Sequence, residues 1–389
     1  MKRRVVQIIR PGTGGSAECL RLLLERIDRS RFDIEIIASP LEDPTYPQSL
    51  AAMGFPVHLV DMHRPIRPTA DLSAFVQIAR LLNRIAPHVI HAHTSKPGFF
   101  VARAKRDGLL RPQPNSSPRI IYSPHGPYFR YGHSSLKRSF YRALEQIARL
   151  STDIVVAVAH SEGDEIVEAG IVPRHKIRVI PNGIDIHRFR SLPDPNSLLE
   201  KFAVPTASTR IGMIGRLDPP KDPFTFLNAA RTLREERPDL RFLLIGTGTQ
   251  EDEIDARIRE LGLEGTVVRT GFLEATEAMS LLDIGVLSST SEGLPLVLLE
   301  LLASGVPVVS TDLPGCREAL DNGRCGLLVP PGDPMRLAQA MTEILEKPQE
   351  RDLRVQSGRE HVQNHHHLDS WAEQIQALYE SSPKPLKTF

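Results

Sequence analysis

The sequence has little cysteine and no long apolar run. Only three cysteines occur among 389 residues (Cys19, Cys316 and Cys325), and their spacing fits neither a disulfide framework nor a metal-binding motif. No apolar stretch approaches the ~18 residues needed to span a bilayer. The first apolar stretch, Val5–Ile9, is too short for a signal peptide. We therefore expect a cytoplasmic protein.

The chain also has almost no net charge, since 48 Lys and Arg against 47 Asp and Glu give +1. This balance argues against a nucleic-acid-binding protein. It conceals an asymmetry, however. Residues 1–190 hold 28 Lys and Arg against 17 Asp and Glu, whereas residues 191–389 hold 20 against 30. The basic first half favours an anionic partner such as a membrane surface or a lipid diphosphate.

Short apolar runs alternate with helical patterns, which predicts βαβ units and an α/β fold with parallel sheets. The pattern starts at Val5–Ile9 and restarts at Arg210–Ile214, after a stretch of low periodicity with three prolines (190–209). We expect two Rossmann-like domains facing across a cleft. The first would span residues 1–187, completed by a terminal helix in about 369–389, and the second residues 188–368.

A glycine-rich turn follows the first predicted strand. Gly14 and Gly15 can adopt positive φ and allow close backbone approach, and the following helix start can bind an anion. A dinucleotide site would also need an acid at the end of the second strand, but the residues after that strand contain no acid until Glu42. A NAD site is therefore disfavoured, and a tight structural turn remains the alternative.

Two cations follow the strand Arg210–Ile214. Arg216 and Lys221 stand five residues apart in one loop, and a guanidinium fork together with a point charge suits a diphosphate. A solvated basic loop is the alternative.

Two acids flank the start of an apolar helix. Glu292 precedes Gly293 and Pro295, which mark a helix N-terminus whose amides can hold phosphate. Glu300 follows eight residues after Glu292, and we expect it two turns inside the helix. The pair can act in acid/base catalysis or accept hydrogen bonds from sugar hydroxyls. A cap with one buried ion pair is the alternative.

Histidines end two strands of the first half. His91 and His93 lie on one strand, and His125 precedes a glycine after the next, where it would point into the cleft. A structural role for each is the alternative. The triplet 365–367 lacks acids or cysteines at ligand spacing, so we expect a solvated helix joint and no metal site.

Taken together, and in their order along the chain, these motifs resemble those of the retaining GT-B glycosyltransferases of family 4. The resemblance covers nearly the whole chain, and its most specific part is the segment from Glu292 to Glu300. The tail with Trp371 is similar to the family's final helix, which crosses back onto the N-terminal domain. The family often has Ala-Met-Ala after the second Glu, where this chain has Leu301-Leu302-Ala303, a difference that should mainly alter packing.

The resemblance implies roles for individual residues. Arg216 and Lys221 would clamp the donor diphosphate, Glu292 would contact the transferred sugar, and His125 would face that sugar near the reacting centre. Glu300 would contact the ribose of the nucleotide. Together with Glu300, the implied donor-binding residues are Gly14, Gly15, Gly215, Gly246, Gly248, Gly293, Leu294, Pro295, Leu296 and Val297.

The resemblance also implies a metal-independent reaction that needs no cofactor and has no agreed protein nucleophile. The leaving phosphate would take the proton of the acceptor. The donor would be a nucleotide-diphosphate sugar, with uridine favoured over guanosine. The acceptor would be a glycan or a lipid-linked sugar, in bacterial surface polysaccharide or glycoconjugate biosynthesis.

A basic aromatic stretch after His125 predicts an acceptor or membrane contact through Tyr128, Arg130, Lys137 and Arg138. The protein would then bind peripherally at the inner face of the membrane, while an ordinary packed helix is the alternative. Two other functions remain for the whole chain. They are a nucleotide-sugar 2-epimerase on the same scaffold and a non-catalytic assembly subunit.

Overall fold

The computed structural model describes residues 2–110, 117–126, 146 and 151–380. The chain divides into two compact units. The first comprises Met1–Asn182 and Leu368–Phe389, and the second comprises Gly183–His367. The two parallel α/β units that the alternating pattern predicts are therefore present.

The first unit is built on a seven-stranded parallel sheet. Its strand order is β3-β2-β1-β4-β5-β6-β7, so β1 pairs with both β2 and β4. The direction of winding reverses between β1 and β4. The strands are β1 (Arg3–Ile9), β2 (Phe32–Ala38), β3 (Val57–Leu59), β4 (Val89–His93), β5 (Arg119–Ser123), β6 (Ile154–Ala157) and β7 (Ile177–Val179).

Helices connect these strands and cover the sheet. Fully buried apolar side chains of β1 and β4, such as Ile8 and Ile90, pack with the buried stripe of the third helix. The described helices before the second unit are α1 (Gly15–Arg26), α2 (Thr45–Ala52), α3 (Pro68–Ile85), α4 (Ser95–Arg106) and α5 (His160–Glu168).

The second unit contains a six-stranded parallel sheet of the same type. Its order is β10-β9-β8-β11-β12-β13, with the reversal between β8 and β11. The strands are β8 (Thr209–Ile214), β9 (Leu240–Ile245), β10 (Val267–Gly271), β11 (Ile284–Leu287), β12 (Val308–Thr311) and β13 (Leu327–Val329).

The helices of the second unit close one core around Phe226 and Phe242, which are fully buried and contact edge to face at 5.9 Å. One short helix lies inside the stretch 190–209, which the sequence predicted to be an irregular linker. The helices are α6 (Ile186–Phe189), α7 (Asn196–Lys201), α8 (Pro223–Glu236), α9 (Glu251–Glu260), α10 (Ala275–Ser280), α11 (Leu296–Ser304), α12 (Pro314–Ala319), α13 (Pro334–Glu346) and α14 (Pro348–His365).

The last helix, α15 (Leu368–Glu380), belongs to the first unit, as the sequence predicted for the tail. Arg3 and Arg119 donate hydrogen bonds to carbonyls at its end, at 2.9 and 2.8 Å. Tyr379 is fully buried on it. None of the helices in the described ranges is both long and apolar enough to cross a membrane.

The histidine triplet does lie at a helix joint, between α14 and α15, but the expected solvation is wrong for its middle residue. His366 is buried, and its carbonyl accepts a hydrogen bond of 2.9 Å from the amide of Ile184. A backbone hydrogen bond within the second unit therefore holds this joint. The spacing of the histidines in the sequence does not reveal that contact.

Candidate active site

The candidate site of the second unit lies where the sheet reverses its winding. Loops leave the carboxyl ends of β8 and β11 side by side, because these strands are paired. Crevices at such a reversal are where open α/β sheets bind ligands. The loop after β8 carries Arg216 and Lys221, and the loop after β11 carries Glu292.

Lys221 and Glu292 form an ion pair in this loop region. The Nζ of Lys221 lies 2.5 Å from Oε1 of Glu292, and the hydroxyl of Ser289 donates to the same oxygen at 2.6 Å. The two charged side chains are only 20% and 12% exposed. The pair is therefore partly shielded from water, so its interaction is stronger than that of a surface pair.

Arg216 is placed by an acid that the sequence analysis did not single out. Its guanidinium lies 3.2 Å from the carboxylate of Asp218, which is buried, whereas the Arg216 side chain is 39% exposed. Asp218 also accepts hydrogen bonds from the amide and hydroxyl of Thr249, both at 3.0 Å. Asp218 thus ties the Arg216 loop to the loop after β9 and leaves the cation facing solvent.

Close backbone contact explains the glycines in these two loops. A Cβ on Gly246 would lie 2.0 Å from the carbonyl oxygen of Gly215, and Gly246 has φ +133°. A Cβ on Gly248 would lie 2.3 Å from the carbonyl oxygen of Leu217. Any side chain at either position would push the loops apart and displace Arg216.

The helix start after Glu292 is held by another glycine contact. The predicted donor-binding residues Gly293, Leu294, Pro295, Leu296 and Val297 form the entry to α11, which begins at Leu296. A Cβ on Gly315 of α12 would lie only 1.4 Å from the carbonyl oxygen of Gly293. The first turn of α11 is therefore positioned by the close approach of α12.

Glu300 lies less deep in its helix than the sequence predicted. Because α11 begins only at Leu296, Glu300 is one turn inside it instead of two, and it is half-buried. The Leu301-Leu302 pair that departs from the family pattern is buried. Leu301 packs on Gly285 and Leu302 on Gly358, where a Cβ would lie 2.5 and 2.7 Å from the leucine side chains. The two glycines leave room for these leucine side chains.

In the first unit, Gly14 and Gly15 begin α1 after β1. Gly14 has φ +82°, and its carbonyl accepts the amides of Ala17 and Glu18 at 3.1 Å. A Cβ on Gly15 would meet no atom within 4 Å. Positive φ accounts for the glycine at position 14, whereas the surroundings of Gly15 within the chain do not demand one.

His125 follows β5 in a left-handed conformation, with φ +54°, and is half-buried. Its Nε2 lies 3.0 Å from Nδ1 of His93, and the two rings stack. Burial lowers the pKa of His125 to about 4. The imidazole is therefore neutral at pH 7.

A buried acid of α5 holds the loop that carries His125. The carboxylate of Glu162 accepts hydrogen bonds of 2.6 Å from the amides of Gly126 and Val158. Glu162 is fully buried. It orders the backbone next to His125, although no spacing in the sequence connects it with that residue.

The predicted acceptor residues Tyr128, Arg130, Lys137 and Arg138 lie outside the described residues. Within the described ranges, no group of three or more His, Cys, Asp and Glu side chains is arranged to hold a metal ion.

Sequence reasoning missed Asp218, Ser289 and Gly315 in the second unit. Only Asp218 gave a usable signal, because it stands two residues after Arg216 in the same loop. Ser289 is a local neighbour of Glu292, three residues before it in the same loop, but a lone serine is too common to be noticed. Gly315 acts through a contact between segments that are distant in the sequence. Together the site presents two cations, a carboxylate and a helix start at one sheet edge, an arrangement that suits an anionic ligand bearing hydroxyl groups.

Comparison with known families assigns both units. The model "Glycosyltransferase Family 4" matches residues 13–188, and the model "Glycosyl transferases group 1" matches residues 208–347. Among curated relatives, UDP-Gal:alpha-D-GlcNAc-diphosphoundecaprenol alpha-1,3-galactosyltransferase of Escherichia coli is 26% identical over 329 residues, 82% of each chain. The capsular polysaccharide biosynthesis glycosyltransferase CapM of Staphylococcus aureus is 22% identical over 94% of each chain.

Solved structures agree on the fold. HepE of Anabaena, solved with UDP and glucose, is 22% identical and has a TM-score of 0.82, covering 98% of this chain and 100% of its own. WaaG, a glycosyltransferase of lipopolysaccharide biosynthesis, is 14% identical with a TM-score of 0.76 over 97% and 100%. The chain belongs to glycosyltransferase family 4 and is a glycosyltransferase of the GT-B fold.

Proposed function

We propose that the protein transfers a sugar from a UDP-sugar, with retention of anomeric configuration, to a glycan or lipid-linked acceptor. The observation that carries the proposal is the Lys221–Glu292 ion pair at the sheet reversal, beside Arg216 and the start of α11. These groups match what a sugar diphosphate presents, which is negative charge next to hydroxyls. A GDP-sugar is the alternative donor.

The ion pair can take up a diphosphate without being dismantled. Lys221 has three N–H donors, and one of them suffices for Glu292. The others remain for phosphate oxygens, and the Glu292 carboxylate, which has about four acceptor sites, can also accept from a sugar hydroxyl. Because Asp218 and Ser289 already hold Arg216 and Glu292, little reorganisation is needed on binding.

Transfer requires stabilisation of the charge that develops on the leaving diphosphate. Preorganised Arg216, Lys221 and the α11 start would supply it electrostatically, and removal of one such donor typically costs ~10²–10³ in kcat. Glu292 is occupied by Lys221 and Ser289, which suits a sugar-binding role better than a nucleophilic one. The reaction proposed here needs no metal, and full activity in EDTA is its test.

The relatives favour a uridine donor and a lipid-linked acceptor. The name of the E. coli relative specifies UDP-Gal and a diphosphoundecaprenol acceptor, and HepE was solved with UDP-glucose. The excess of Lys and Arg in residues 1–190 suits such an anionic acceptor. We place the protein in bacterial polysaccharide or glycoconjugate biosynthesis, peripherally at the inner membrane face. Failure to float with anionic vesicles would remove the membrane contact.

A donor panel tests the proposal. UDP- and GDP-sugars are incubated with and without a lipid-diphosphate-sugar acceptor, and release of nucleoside diphosphate and product anomer are measured. We expect UDP release that depends on the acceptor, and a product that retains the donor configuration. Release of UDP or conversion of the donor without an acceptor would instead indicate the 2-epimerase.

Two variants connect the activity with the site. Lys221→Ala should lose ~10²–10³ in kcat, whereas Lys347→Ala should retain activity, because Lys347 is exposed and pairs with Glu343 and Glu350 near the ends of two helices. Normal turnover in Lys221→Ala would exclude the proposed diphosphate clamp.

A further inference from the structure

We propose that the side-chain amide of Gln7 fixes the tautomer of His125, so that Nε2 carries the proton and Nδ1 is the hydrogen-bond acceptor. Gln7 lies on β1 and does not contact His125 directly. It acts through His93 and is therefore a positioning residue. The tautomer stands on its own geometry, and only its effect on sugar transfer rests on the role proposed for His125.

One branch of a buried network leads from Gln7 to His125. The Oε1 of Gln7 lies 2.9 Å from Nε2 of His93, and Nδ1 of His93 lies 3.0 Å from Nε2 of His125. Gln7 and His93 are 0% and 3% exposed. Their hydrogen-bonding groups therefore depend on one another rather than on water.

The other branch leads from Gln7 through the last helix. The Nε2 of Gln7 donates to the hydroxyl of Tyr379 at 2.9 Å, and that oxygen lies 2.7 Å from Nδ1 of His91. The Nε2 of His91 in turn lies 2.8 Å from the hydroxyl of Ser123. The amide nitrogen and the amide oxygen of Gln7 thus have separate partners, Tyr379 and His93.

All three imidazoles are neutral at pH 7. Burial lowers the pKa of His91 to about 3 and that of His125 to about 4, and it places the pKa of His93 well below its usual value. A neutral imidazole has one N–H donor and one acceptor nitrogen. Assigning either nitrogen of a ring therefore determines the other.

The donor and the acceptor of each hydrogen bond can be assigned in turn, starting from Gln7. Its oxygen can only accept, so Nε2 of His93 carries a proton and Nδ1 of His93 is an acceptor. His125 must then donate from Nε2, which leaves its Nδ1 without a proton. On the other branch, Tyr379 accepts from Gln7 and donates to His91, which places the His91 proton on Nε2. Every contact then pairs one donor with one acceptor.

The assignment restricts what His125 can bind. With Nδ1 as an acceptor, the ring favours a partner that donates a hydrogen bond, such as a sugar hydroxyl. It disfavours a ring oxygen or a carbonyl in the same place. His125 would thus discriminate between a hydroxyl and its deoxy replacement at the contacted sugar position.

Nuclear magnetic resonance tests the tautomer directly. The full chain, labelled with ¹⁵N-histidine, is examined by long-range ¹H–¹⁵N correlation at pH 7, and the His125 signals are assigned by their loss in His125→Asn. We expect the Nε2–H pattern for His91, His93 and His125. An Nδ1–H pattern for His125 in the wild-type protein would overturn the proposal.

Two matched variants test whether Gln7 determines the His125 tautomer. Gln7→Met removes the amide and should give His125 a mixture of both tautomers. Tyr379→Phe removes a buried group from the other branch, and His125 should keep Nε2–H while the His91 signals change. Loss of the His125 tautomer in Tyr379→Phe alone would contradict the assignment. Since the wild-type spectrum and Tyr379→Phe suffice to decide it, the test survives misfolding of Gln7→Met.

Kinetics separate this inference from the proposed function. In Gln7→Met we expect kcat to fall in proportion to the fraction of His125 that loses the Nε2–H form, about twofold for an even mixture, with an unchanged KM for the UDP-sugar. Predicted tautomers with an unchanged kcat would contradict the role of His125 in transfer while leaving the network assignment intact.

Discussion

Replacing Gly315 with alanine tests whether α12 positions the donor-binding helix start. The new Cβ would lie 1.4 Å from the carbonyl oxygen of Gly293, where ordinary contact requires more than 3 Å. The Gly293 peptide must therefore move by about 2 Å, and overpacking of this kind costs about 1–3 kcal/mol of unfolding free energy. Because a displacement of about 1 Å in a catalytic group can cost ~10² in rate, we expect kcat to fall at least that far.

Gly358→Ala is the matched control. Its Cβ would lie 2.7 Å from the Leu302 side chain, which can shift, and it would not touch the Gly293 loop. Urea denaturation and donor kinetics should show some loss of stability in both variants but loss of turnover in Gly315→Ala alone. If Gly315→Ala keeps wild-type kcat and KM below its unfolding transition, α12 does not position the helix start.

Two further predictions concern the first unit. Glu162→Gln should lower the unfolding free energy by about 1–3 kcal/mol and reduce kcat, because one of the Gly126 and Val158 amides would face an NH₂ group. Glu168→Gln, which changes an exposed residue of the same helix, should alter neither quantity. Equal behaviour of the two variants in denaturation and turnover would exclude a role for Glu162. Acid should destabilise the protein between about pH 6.5 and pH 3, because His91 and His125 have a lowered pKa in the folded protein and the unfolded chain binds protons first. Urea titrations over that range should show the unfolding free energy falling with pH, with a shallower slope in His91→Asn, and an unchanged slope would contradict the neutral network.

The sequence was sufficient to predict the two parallel α/β units and the loops that carry the site. The reason is that strand periodicity and glycine-rich strand ends are local properties. Arg216, Lys221 and Glu292 could be chosen for the same reason, since each lies in a loop that follows a predicted strand. Glu300 was expected one turn too deep in α11, because Pro295 and Gly293 indicate a helix entry without fixing its first turn.

Contacts between distant segments could not be predicted. Gly315 is needed because α12 approaches Gly293, and Glu162 because its carboxylate reaches the loop after β5. The buried network joins Gln7 and Tyr379, which are 372 positions apart. Such pairs leave no periodic signal in a single sequence, and only the packed units reveal them.

Whether Arg216 and Lys221 hold the donor diphosphate is decided by calorimetric titration of uridine and UDP into the wild-type protein, Arg216→Ala and Lys221→Ala. We expect UDP to bind the wild-type protein more tightly than uridine does, and this advantage to shrink in both variants while uridine binding stays unchanged. Lys347→Ala and Arg231→Ala, which alter exposed ion-paired cations, should behave as wild type. An unchanged advantage of UDP in Arg216→Ala and Lys221→Ala would show that these cations do not hold the donor diphosphate.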